Sequence, residues 1–355
     1  MSSLGILQLN PTIHNEYMNE LAKSCSLAGI DVISFSPFNY DEKNNSVKGL
    51  LFNRDKNFWN KTTYPLPLYI YDRIFFPSNK SIHPQINRML NQIKEKTTFL
   101  GTGLPNKWTV YKWLNDNHFI KEFLPPTELL KKSTLQTFLN QYGEIIIKPI
   151  FGSNGIGIYV IERKRGDLFS IYCGKRKQHH LIRGEIETLH QYLIENVISS
   201  NYLIQPMLSL KVGEQPFDLR TILHKTSSQK WIVVGNGFRI GNNRSFISNL
   251  HGGGIVSPSM KISKKYMESV KKTVKQLLHV IPYHLNNYHH PLFELGIDLG
   301  IDLDGNVWIL EINSKPGYQT VMKTTTPEKR LEIYKGIIQI IEHTSIPKSK
   351  NNDIL

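Results

Sequence analysis

Two segments place residue types where phosphate and divalent-cation chemistry needs them. The first is Glu144–Glu162, EIIIKPIFGSNGIGIYVIE. An apolar run ends on Lys148, a loop follows with Gly152, Ser153, Asn154, Gly155 and Gly157, and a β-branched run resumes at Ile156–Ile161. Glycines let backbone N–H groups approach phosphate oxygens without a side-chain clash, and a neighbouring lysine adds positive charge. A Walker loop opens a helix with Gly-Lys-Ser/Thr, and a dinucleotide loop also opens a helix. Here the loop joins two expected strands. A tight hairpin using glycines only for its turn is the alternative. Lys148 weighs against that reading, because a charge closing an apolar strand is costly without a partner.

The second segment is Phe293–Gly317, FELGIDLGIDLDGNVWILEINSKPG. Asp304-Gly305 between two alternating runs signals a two-residue hairpin. That turn sets Asp298 opposite Glu311, Gly296 opposite Asn313 and Glu294 opposite Lys315. Alternation assigns Leu295, Ile297, Leu299, Ile301, Leu303, Trp308, Leu310 and Ile312 to a core face. Glu294, Asp298, Asp302, Glu311, Asn313 and Lys315 fall on the other face, with Gly296 and Gly300 leaving room. Opposed like charges repel on a sheet. A bound cation reverses that, and carboxylate and amide oxygens suit magnesium carrying nucleotide phosphates. A solvated acidic face is the alternative, although such faces normally mix in Lys and Thr.

The elements that must position these residues follow from periodicity. The first hundred residues alternate strand and helix: an apolar run at Leu4–Leu9, a helix at Asn15–Ala28 stopped by Gly29, and a strand at Asp31–Ser36. A further strand lies within Pro65–Phe76, and Ile86, Met89, Leu90 and Ile93 mark another helix. Gly101–Asn106 reads as a boundary, giving an α/β unit over residues 1–105. A mixed unit spans residues 106–345, from a helix at Lys107–Leu114 to one near Pro327–His343. The latter carries Leu331, Tyr334, Ile337, Ile338 and Ile341 on one face. Residues 346–355 form a polar tail.

Composition limits the classes available. The 355 residues carry 43 Lys+Arg against 29 Asp+Glu, a formal net charge of +14. With 40% hydrophobic and 20% charged residues the chain is no disordered polymer. Cys25 and Cys173 cannot make a disulfide scaffold or a four-thiolate zinc site. The basic excess favours anionic partners. No signal peptide or apolar span long enough for a bilayer is evident, so cytoplasmic synthesis without a membrane span is expected. The densest basic run, Arg163–Arg183, invites a nucleic-acid reading with Phe169 and Tyr172 as stacking partners. A basic rim or solvated hairpin is preferred, since charge runs usually face water.

Read in order, NKWTVYKWL, LPPTELL, IIIKPIFGSNGIGI, YLIQPM, FDLRTIL, GFRI, SNLHGGG and ELGIDLGIDLDGNVWILEINSKPG resemble the ATP-grasp superfamily and its YheC/YheD-like, endospore coat-associated family. The series FDLR, FRI and SNLHGGG is also similar to the ribosomal-protein glutamate ligases. The resemblance covers about Asn106–Thr344. It implies an α/β (α+β) ATP-grasp fold, preceded by a small Rossmann-like pre-ATP-grasp domain. It also implies ATP with two magnesium ions, manganese being an alternative.

The resemblance further implies residue roles. Lys107 and Lys148 contact phosphates, Gly152–Gly157 close over them, and Gln205, Pro206 and Met207 meet the adenine. Asp298, Glu311 and Asn313 hold the metal, with Asp302 as an alternate ligand. Arg220 and Arg239 hold the transferring phosphate, while Asn249, Gly252 and Gly253 line the acceptor side. The glutamate ligases carry more basic residues around the Asn-Leu-His segment. Arg244 is the candidate substitute here, so acceptor identity does not transfer.

The implied reaction is amide formation: ATP phosphorylates a carboxylate and an amine attacks the acyl phosphate. Neither the carboxylate nor the amine is identified. Spore-coat components are further expected partners, and specific nucleic acid is not. The competing expectation is a nucleotide-binding structural protein of the spore coat with little or no catalysis.

Overall fold

The computed structural model describes residues 2–12, 15–75, 84–152, 155–173, 179–198, 201–212, 215–242, 246, 248, 254–259 and 264–345. The first stretch comprises β1 (Ser3–Leu7), α1 (Glu16–Leu27), β2 (Asp31–Asp41), β3 (Ser46–Asn53), β4 (Phe58–Pro65), β5 (Tyr69–Asp72), α2 (Pro84–Lys96) and β6 (Thr98–Phe99). Its sheet runs β4-β3-β2-β1-β5-β6, with β1 parallel to β2 and β5, and an antiparallel β3–β4 hairpin at one edge. Asn15 starts α1 by accepting the Met18 N–H at 3.0 Å, filling one of the donors every helix start leaves open. Gly29, at φ +74°, follows its end. The β3–β4 hairpin has no counterpart in the sequence reading.

The second sheet belongs to α3 (Lys107–Asn115), a 3₁₀ turn (Ile120–Phe123), β7 (Glu128–Leu129), α4 (Lys132–Tyr142), β8 (Glu144–Pro149), β9 (Tyr159–Lys164), β10 (Leu168–Cys173), β11 (His179–Arg183), α5 (Ile186–Asn196) and β12 (Tyr202–Pro206). Its strands run β11-β10-β9-β8-β12-β7, antiparallel throughout. One face packs on α4 and α5 through Leu135, Leu139, Ile145, Ile147, Leu189 and Leu193. The described residues of the basic Arg163–Arg183 segment lie in and between β9, β10 and β11 at one edge of this sheet. Phe169 is buried in its core, and Tyr172 packs on Phe246 with ring centroids 5.3 Å apart. The Phe169 ring is therefore no open stacking platform.

The third sheet comes from β13 (Lys211–Val212), β14 (Gln215–Lys225), β15 (Trp231–Ile240), β16 (Ile255–Ser257), α6 (Lys264–Asn286), β17 (Glu294–Ile301), β18 (Val307–Asn313), α7 (Gln319–Thr324) and α8 (Pro327–Ser345). The order is β16-β15-β14-β17-β18, with β13 on β14. Leu277, Ile281 and Leu285 of α6 cover one face. The other face shares a core with the first sheet, in which Leu4, Leu21, Ile222, Val321, Ile337 and Ile341 meet. Ile333 joins that core, whereas Leu331, expected on the apolar face of α8, is exposed.

The β17–β18 hairpin departs from the expected two-residue turn. Asp298–Glu311 and Gly296–Asn313 pair as read, but a bulge after Asp298 shifts the ladder to Leu299–Ile309 and Ile301–Val307. The cause is the turn. Asp302 accepts the N–H groups of Asp304 and Asn306 and also bonds Trp308 Nε1, so the reversal spans five residues, 302–306. Val307 and Ile309 therefore take the core positions expected for Trp308 and Leu310. Leu303 is exposed at the tip.

Candidate active site

A cavity of about 780 Å³ lies between the second and third sheets and is closed by the start of α1 and the end of β5. Lys107 and Lys148 enter it from two elements. Asn106 caps α3 by accepting the Thr109 N–H at 3.0 Å, fixing Lys107 in the first turn. Lys107 Nζ donates to the Gly152 carbonyl at 2.5 Å and lies 3.3 Å from Glu311 Oε1. Lys148, near the end of β8, donates to the Leu310 carbonyl at 3.3 Å. Burial lowers its ammonium to about 8, Glu311 opposing that shift and Lys107 adding to it.

The loop after β8 holds Gly152, Gly155 and Gly157 at φ +116°, +69° and +74°, a region side chains disfavour. Ser153 and Asn154 fall outside the described residues, as do Arg244, Asn249, Gly252, Gly253 and the tail at 346–355. Gln205, Pro206 and Met207 all line the cavity. Gln205 is pinned by donating to Thr127 Oγ1 at 2.7 Å, and the Met207 N–H bonds the Glu144 carbonyl at 3.0 Å.

Across the cavity, cross-strand pairing sets four charges on one sheet face. Asp218 on β14 opposes Arg239 on β15, and Arg220 on β14 opposes Asp298 on β17. Arg220 grips Asp298 through Nε and through Nη2, the latter at 2.7 Å, and Arg239 Nη2 reaches the same carboxylate at 2.9 Å. Burial alone raises the Asp298 carboxyl, but the two guanidiniums prevail and hold it below the usual range. Glu311 is half-buried opposite Asp298, with Asn313 two residues on.

Among the described residues no group of three or more His, Cys, Asp and Glu gathers as a metal cluster. The donor set at the cavity is the Asp298 carboxylate, held by Arg220 and Arg239, the Glu311 carboxylate, 3.3 Å from Lys107, and the amide oxygen of Asn313. Such hard oxygen donors match magnesium or manganese completed by phosphate and water, so these residues fit the ion. Asp302 does not line the cavity with them, and its carboxylate is tied into the turn.

The room expected over Gly296 and Gly300 is filled. A Cβ on Gly296 would lie 2.6 Å from Pro316 Cβ, and one on Gly300 would lie 2.6 Å from Leu210 Cδ1. These glycines admit protein side chains rather than a ligand. Gly296→Ala is expected to push back the 315–317 turn and cost about 1–3 kcal/mol, as overpacking does, measured by denaturant unfolding.

Beyond Asn313, the chain meets the first sheet in a buried polar cluster. Arg73 Nη1 lies 2.6 Å from Glu294 Oε1 and its Nη2 donates to the Pro316 carbonyl at 2.8 Å. Tyr71 and Tyr318 both donate to Glu294 Oε2, at 2.8 and 2.6 Å. Lys315 pairs with Asp72 at 2.7 Å. Glu294 therefore faces Arg73 rather than Lys315, because β18 ends at Asn313. Burial pushes the Glu294 carboxyl up against the pull of Arg73, and it brings the neighbouring His224 down to about 3, leaving it neutral.

The sequence reading gave no site role to Arg73, Asp218 or Ser248, all of which line the cavity. FDLR contained Asp218 as a signal, but only Arg220 was drawn from it.

A family model described as YheC/D like ATP-grasp matches residues 96–343. The chain is 32% identical over 344 residues to the endospore coat-associated protein YheC of Bacillus subtilis (strain 168), covering 94% of this chain and 93% of that protein. The endospore coat-associated protein YheD of the same strain is 29% identical over 293 residues, covering 77% of this chain and 61% of YheD. D-alanyl-alanine synthetase A from Vibrio cholerae O1 biovar eltor strain N16961 is similar in fold, with a TM-score of 0.54 at 14% identity, covering 97% of this chain and 98% of that one.

Proposed function

The chain belongs to the YheC/D-like ATP-grasp family, and from that premise we propose that it is an ATP- and magnesium-dependent carboxylate–amine ligase working through an acyl phosphate. The observation that carries this reading is one cavity lined by Lys107, Lys148, Arg220, Arg239, Asp298 and Glu311, with Lys107 3.3 Å from Glu311. In this reading residues 106–345 form the ATP-grasp domain and residues 1–105 the domain before it.

Lys107, Lys148 and the Gly152–Gly157 loop bind the phosphates, and Gln205, Pro206 and Met207 border the adenine. Asp298, Glu311 and Asn313 hold magnesium, whose contribution is to neutralise charge on the phosphates. Arg220 and Arg239 orient the transferring phosphate and stabilise charge on the acyl-phosphate oxygens. Phosphoryl transfer relies on such positioning and neutralisation, so no protein nucleophile is required. Asn249, Gly252 and Gly253 remain acceptor-side candidates. The names of the relatives support a place at the spore coat. No described helix is long and apolar enough to cross a membrane.

The test is MgATP affinity, by calorimetry, of wild type and Lys148→Ala. A charge-assisted contact of this kind is worth about 1.5–3 kcal/mol, so Lys148→Ala is expected to bind roughly ten- to a hundredfold more weakly. The pH dependence has a definite sign. The protonated lysine binds phosphate, and in the free protein it loses its proton near pH 8. Wild-type affinity should therefore fall as pH rises above about 8, and Lys148→Ala should lack that fall. Unchanged affinity in Lys148→Ala would remove the phosphate assignment.

A further inference from the structure

Arg239 and Arg220 are held differently. Arg220 has one carboxylate partner among the described residues, Asp298. Arg239 has two: it touches Asp298 at 2.9 Å and is gripped at both ends by Asp218, Nε to Oδ1 at 2.7 Å and Nη2 to Oδ2 at 2.5 Å. Asp218 is itself fixed. It is buried, sits directly across the β14–β15 ladder from Arg239, and accepts the Ser248 hydroxyl on Oδ2 at 2.7 Å. Any cation that engages Asp298 competes with both arginines for that carboxylate. Arg220 would then lose its partner, while Arg239 would keep its bidentate one, a geometry that fixes a guanidinium in plane and direction.

We propose that Asp218 is a positioning residue that keeps the Arg239 guanidinium oriented at the cavity face to receive the terminal phosphate of ATP, whatever engages Asp298. The proposal rests on the assignment of Arg239 to that phosphate. Ser248 assists by holding Oδ2.

The experiment compares MgATP and MgADP affinity by calorimetry in wild type, Arg239→Ala, Asp218→Asn, Ser248→Ala and the Arg239→Ala/Asp218→Asn double variant. Arg239→Ala is expected to weaken MgATP on the order of tenfold and MgADP by less than about twofold. Asp218→Asn should reproduce most of that ATP-selective loss and add little in the double variant, because both act through one guanidinium. Ser248→Ala, which leaves every charge in place, should show a smaller loss of the same kind. It carries the test if Asp218→Asn does not fold.

Equal weakening of MgATP and MgADP by Asp218→Asn, beside an ATP-selective Arg239→Ala, would overturn the proposal and make Asp218 a direct nucleotide contact. Additive losses in the double variant would overturn it as well, as would a Ser248→Ala protein indistinguishable from wild type. An Arg239→Ala protein with no ATP-selective loss would overturn the assignment of Arg239, and the positioning role with it. MgATP binding in wild type together with loss in Lys148→Ala would leave the nucleotide site itself standing in every one of these cases.

Discussion

Glu311→Ala is expected to lower magnesium-supported phosphoryl transfer on the order of a thousandfold, since losing a ligand of the proposed magnesium site forfeits several kcal/mol of transition-state charge stabilisation. The local charges say why the effect should be specific. Glu311 stands opposite Asp298 and 3.3 Å from Lys107, and its charge supports protonation of Lys148. Its removal takes away the ion-pair partner of Lys107 and the charge that raises Lys148, so the Lys148 ammonium should titrate lower still. ADP without metal should continue to bind below the titration of Lys148. Manganese binding followed by electron paramagnetic resonance is expected to weaken in Glu311→Ala. Wild-type manganese affinity in that variant would contradict the ligand assignment.

Arg73→Ala is expected to destabilise the fold by about 3–5 kcal/mol, the range for removing one partner of a buried ion pair. Arg73 and Glu294 are 5% and 3% exposed, and Arg73 also holds the Pro316 carbonyl beside the proposed metal residues. Without Arg73, the Glu294 carboxyl keeps Tyr71 and Tyr318 as its donors among the described residues and should rise further. A raised folded-state value means that the folded protein binds the extra proton. The penalty should therefore be smallest in acid and grow as pH rises through the carboxyl titration. Guanidinium unfolding at two pH values measures both effects. Arg73→Met with Glu294→Leu should recover much of the loss by replacing both charges together.

Local signals carried much of the candidate site. Lys148 with the three glycines marked the phosphate loop, and the Asp304-Gly305 signal set Asp298 opposite Glu311, a pairing that is present. The bulge was not legible, because it depends on Asp302 capturing four donors from Asp304, Asn306 and Trp308. The space above Gly296 and Gly300 was misread for a different reason. Pro316 and Leu210 reach over it from outside the paired strands. Asp218 finds Arg239 only through the β14–β15 pairing, and Arg73 finds Glu294 across 221 residues of sequence. No periodicity reports such contacts. The β3–β4 hairpin escaped because its turn lies in NRDKN, without the Asn-Gly or Asp-Gly pair that marks short hairpins.

In the proposed reaction the terminal phosphate of ATP passes to a carboxylate, and an amine then displaces that phosphate to form an amide. The most direct test is ADP release by the full chain supplied with ATP, magnesium and a panel of amino acids, dicarboxylates, peptides and amines, with Glu311→Ala alongside. The predicted result is ADP formation that requires a carboxylate, is completed by an amine with formation of an amide, and is lost in Glu311→Ala. MgATP binding by the wild type with no ADP released across the panel would contradict it and favour a nucleotide-binding structural protein of the spore coat.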